Sequence, residues 1–175
     1  MADFYPYLIS SLPMLHYGAK PPFSFERFLD MCRPFTPGKD YRILDSLPRP
    51  EHYAEGGERH ECIKKWIEFD TALRNELVRI RAGKKNVEPA MYIREGGSSS
   101  LITIPISASG MQTSLLDTER ALDELRWKRL EDLATCHYFD LDYLITYGYH
   151  LLILERWENI RSSDGKAMFR KILQS

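Results

Sequence analysis

The segment from Phe139 to Ile160, FDLDYLITYGYHLLILERWENI, limits the fold of this chain more than any other stretch. Leu141, Leu144, Ile145, Gly148, Leu151 and Leu152 recur at the three- and four-residue steps of one helical face. Tyr143, Tyr147, Ile153, Leu154 and Trp157 make the opposite side apolar too. A helix hydrophobic nearly all round belongs in the middle of a domain or in a membrane. The apolar run Tyr143 to Leu154 is about half the ~20 residues a span requires, and it contains His150. The expectation is therefore a central core helix, opened by Asp140 as an acceptor for the free amides of its first turn. At about 100° per residue, Glu155 falls on the Leu141–Leu152 face, where water is scarce.

Other segments supply partners for that helix. From about 58 to 83, Trp66, Phe69, Leu73, Leu77 and Ile80 step by three and four, with Cys62, Ile63 and Ile67 broadening the face. Gly83, followed by lysines, reads as the stop. From about 114 to 136, Leu115, Leu122, Leu125, Leu130 and Leu133 define an inner side, with Trp127 at its edge and Ser114 and Asp117 as a near capping box. The short HYFD connection to the third long helix, about 141–161, favours antiparallel neighbours. Short helices are expected after Ser24, after Thr36-Pro37 and over 164–173, and residues 4–23 form a proline-rich aromatic strap. Residues 86–113 are an excursion; MYIRE and LITIPI around GGSSS fit a small β-hairpin at 90–106. The fold class is mostly α, a bundle of three long helices in a single domain, 1–175.

Charge and motifs narrow the function classes. Lys plus Arg number 24 against 25 Asp plus Glu, a net charge of −1, which argues against a general nucleic-acid binder. Cys32, Cys62 and Cys136 are widely spaced, with no CxxC pair, and read as reduced thiols. The first residues lack the basic start and cleavage site of a signal peptide, so a cytoplasmic protein is expected. GxSxG, HExxH and P-loop patterns are absent, and GGSSS has no following GK[ST]. His60 with Cys62, and Cys136 with His137, lack the second pair of a zinc site. No cofactor or metal is expected.

The informative pattern is charge inside apolar faces: Asp70 and Arg74 on the first long helix, Glu119 and Arg126 on the second, Glu155 and Arg156 on the third. Desolvated lone charges are costly, so these six are expected to pair across helices as a structural network. The alternative is a small-ligand binder or enzyme that uses the interior carboxylates, Asp70 and Glu155, as an acid/base pair between helices.

Four blocks carry a family likeness: YPYLISSLPML, SFERFLDMC, TERALDELRWKRLEDL, and FDLDYLITYGYHLLILERW followed by DGKAMFRKIL. Together they resemble an uncharacterised family of bacterial proteins encoded with V/A-type ATPase subunits, and WIEFDTALRNELVRIRAGKK fits as well. The RW pair of the third block and FDLD…ERW are the most specific parts. That family is in turn similar to the C (or d) subunit of V/A-type ATPases, an all-helical protein joining the central stalk to the membrane rotor ring. This chain is much shorter than a C subunit of three helical repeats. The likeness implies a reduced C subunit or an accessory factor, non-enzymatic itself, with stalk or rotor-ring subunits as partners. It also implies attachment to the membrane only through that complex.

Overall fold

A computed structural model describes residues 4–47, 50–53, 59–96 and 115–162. These residues are mostly helical, and none of them is in a strand. Six helices follow in order: α1 (Pro6–Ser11), α2 (Phe25–Cys32), α3 (Gly38–Asp45), α4 (Glu61–Lys85), α5 (Leu115–Ala134) and α6 (Leu141–Ser162). The helix predicted over 164–173 lies outside the described residues, as does the capping residue Ser114.

Local chemistry sets the helix ends. Ser24 caps α2 by accepting the Arg27 N–H, and Asp140 caps α6 by accepting the Tyr143 N–H at 3.1 Å. His60 precedes α4 and its Nδ1 accepts the Cys62 N–H, so this helix starts later than 58. Gly83 is not its stop. The helix runs on to Asn86, whose left-handed backbone (φ 51) ends it with its N–H bonded to the Ala82 carbonyl. Thr36 does not cap α3 either: its hydroxyl donates back to the Cys32 carbonyl. The described part of the predicted hairpin is corrected as well. Pro89–Met91 is a single 3-10 turn, and the buried Asn75 holds the backbone of Arg94, donating to its carbonyl and accepting its N–H, each at 2.9 Å. Those bonds fasten the segment to a helix in place of a neighbouring strand.

The contacts gather into two compact units, Met1–Leu47 with Trp127–Ser175, and Pro48–Arg126. In the first, α6 packs on α2 and α3. Phe28, Leu44, Leu144, Ile145 and Leu151 are completely enclosed. Gly148 marks the tightest approach, since a Cβ there would lie 2.9 Å from Leu47 Cδ1 and 3.3 Å from the Phe25 ring. The aromatic strap is tied along the length of α6. Tyr5 N–H donates to the Phe139 carbonyl at 2.6 Å, Tyr147 donates to the Pro13 carbonyl at 2.9 Å, and Arg161 donates to the Gly18 and Ala19 carbonyls. In the second unit, Leu73 of α4 and Leu122 of α5 form a dry centre, with Phe69, Leu77, Ile80 and Leu125 around it.

Candidate functional site

Among the described residues, the densest polar arrangement sits inside the second unit. Asp70, Asp123 and Arg126 are all buried, at 1%, 1% and 8% exposure, so each charge requires a partner in place of water. Arg126 supplies two. Its Nε donates to Asp70 at 2.7 Å and an Nη donates to Asp123 at 2.7 Å. Asp70 also accepts from Arg74 Nε at 2.8 Å, one helical turn along α4. Burial pushes the Asp70 carboxyl up, but Arg126 and Arg74 together outweigh it and hold the group below its ordinary value. Burial likewise opposes the charge on Arg126, and Asp70 and Asp123 overcome it and raise its pKa. Two carboxylates thus face two guanidiniums, and the cluster is neutral as a whole. Tyr53 adjoins it: burial and then the negative charge of Asp70, to which it is hydrogen-bonded, raise its hydroxyl pKa.

This geometry joins Asp70, Arg74 and Arg126, three of the six residues expected to pair. Asp123 is a member that the sequence reading missed. Its signal was the three-residue step to Arg126, which places both on one side of α5. Glu119 is half-buried on the first turns of α5. The expectation for Glu155 is corrected. Glu155 belongs to the first unit, is half-buried, and accepts the Phe25 N–H at 2.9 Å, filling one of the unpaired amides at the start of α2. Arg156 is exposed. The helical wheel placed Glu155 toward the core correctly enough to find a partner there, but that partner is a backbone donor and not an arginine.

Other polar groups in the first unit have equally local roles. Trp127, buried, donates from its indole to Glu131 at 3.0 Å and lies 4.1 Å, centroid to centroid, from the His150 ring. His150 Nε2 is 3.2 Å from the Trp127 carbonyl, an arrangement that suits a neutral imidazole donating that proton. Burial pushes its pKa down to about 4, with the carbonyl bond opposing only part of the shift. His137, Asp140 and Asp142 bring one donor atom each within 4.8 Å of one another, the one such cluster among the described residues. Asp140 spends both oxygens internally, one on His137 at 2.6 Å and one on the Tyr143 amide. A recess of about 250 Å³ lies beside Glu155, lined also by Pro21, Phe23, Ser24, Glu158 and Asn159. Cys32 and Cys62 are buried and Cys136 is exposed. Desolvation pushes the Cys32 thiol up to about 12, far from a reactive thiolate.

Residues 100–175 match a family described as "Protein of unknown function" (DUF2764). The match takes in α5 and α6, and with them the RW and FDLD…ERW blocks. Neither the curated proteins nor the solved structures contain a match to the chain. Among the described residues, no helix is long and apolar enough to cross a membrane.

Proposed function

We propose that this chain is a non-enzymatic subunit or assembly factor of a bacterial V/A-type ATPase, akin to a reduced C subunit. The observation that carries the reading is the set of sequence blocks, above all RW and FDLD…ERW, that resemble proteins encoded with such ATPases. The interior chemistry supports it. Asp70, Asp123 and Arg126 are engaged with one another, and Glu155 fills the end of a helix, so these carboxylates serve the rigidity of the scaffold. A part that transmits torque or holds subunits in place requires that rigidity. The partners are central-stalk or rotor-ring subunits, and the chain meets the membrane only through them.

Affinity-tagged protein expressed in its native cell tests this directly. Purification from detergent-solubilised membranes is expected to bring down stalk or rotor-ring subunits. Its absence from the solubilised ATPase, together with no binding to isolated stalk or ring, would overturn the reading.

A further inference from the structure

We draw no further inference here: the strongest candidate, the recess of about 250 Å³ beside Glu155 between the end of the strap and the last turns of α6, carries nothing, because Glu155 is engaged by the Phe25 amide, Glu158 faces Lys20 and Arg161, and nothing in the structure shows what would fill it.

Discussion

The two compact units hold long helices in register by different chemistry. In the first, α6 is covered by apolar and aromatic side chains, and its polar bonds go mostly to backbone groups: Glu155 to the Phe25 amide, Tyr147 to Pro13, Arg161 to the strap. In the second, α4 and α5 are joined through a small dry centre and, beside it, a buried pair of aspartates sharing one arginine. The apolar unit owes its stability to volume and shape, so loss or gain of a methyl group is what disturbs it. The ionic one depends on balance, so loss of one charge strands the others.

The largest expected effect follows from that balance. Arg126→Met leaves Asp70 and Asp123 buried without their shared partner and is expected to lower stability by ~3–5 kcal/mol in chemical denaturation. Amide exchange is expected to speed up along α4 more than along α2 and α3; equal loosening of all three would erase the distinction between the units. Next comes crowding in the apolar unit. Gly148→Val pushes atoms into Leu47 and Phe25 and is expected to cost about 1–3 kcal/mol or more, seen first at α2 and α3.

Acid separates the units a third way. His150 has a folded pKa near 4, below its unfolded value of 6.5, so it favours folding above pH 6.5 and that contribution is lost as pH falls toward 4. Asp70 is also held below its unfolded value of 3.8, and its contribution is lost only below that pH. Exchange measured down a pH series is expected to loosen α6 before α4, and His150→Phe is expected to flatten the upper part of that slope. The smallest effect is the helix start. Glu155→Ala is expected to cost about 1 kcal/mol by unfolding, with Glu155→Gln recovering most of it, because an amide oxygen still accepts from Phe25.

Sequence reasoning reaches different depths in the two units for a physical reason. Periodicity finds α4, α5 and α6 because each buries a face, and it flags Asp70 and Arg126 because both interrupt apolar stripes. It also places the cap at Asp140, whose partner is three residues away. The partner of Glu155 lies 130 residues away and is a backbone amide, which carries no side-chain signature at all. The division between the units is hidden for a related reason. It falls between Arg126 and Trp127, inside the continuous helix α5, where neither composition nor the hydrophobic repeat changes. Gly83 misled because glycine is tolerated in a helix interior, and Asn86 three residues on adopts the left-handed turn instead. Residues 97–106 of the expected hairpin lie outside the described residues.

The strap has a consequence for how the chain is made. The first unit is assembled from residues 4–47 and from 127 onward, so its strap-to-α6 bonds at Pro13, Gly18 and Phe139 span most of the sequence. During synthesis every residue of the second unit leaves the ribosome before α6 does. Phe28, Leu44 and the aromatic strap must therefore wait, their apolar surfaces uncovered, until the closing helix is translated. Contacts of such long sequence separation form slowly, and the nascent N-terminal third is where a chaperone would have most to hold.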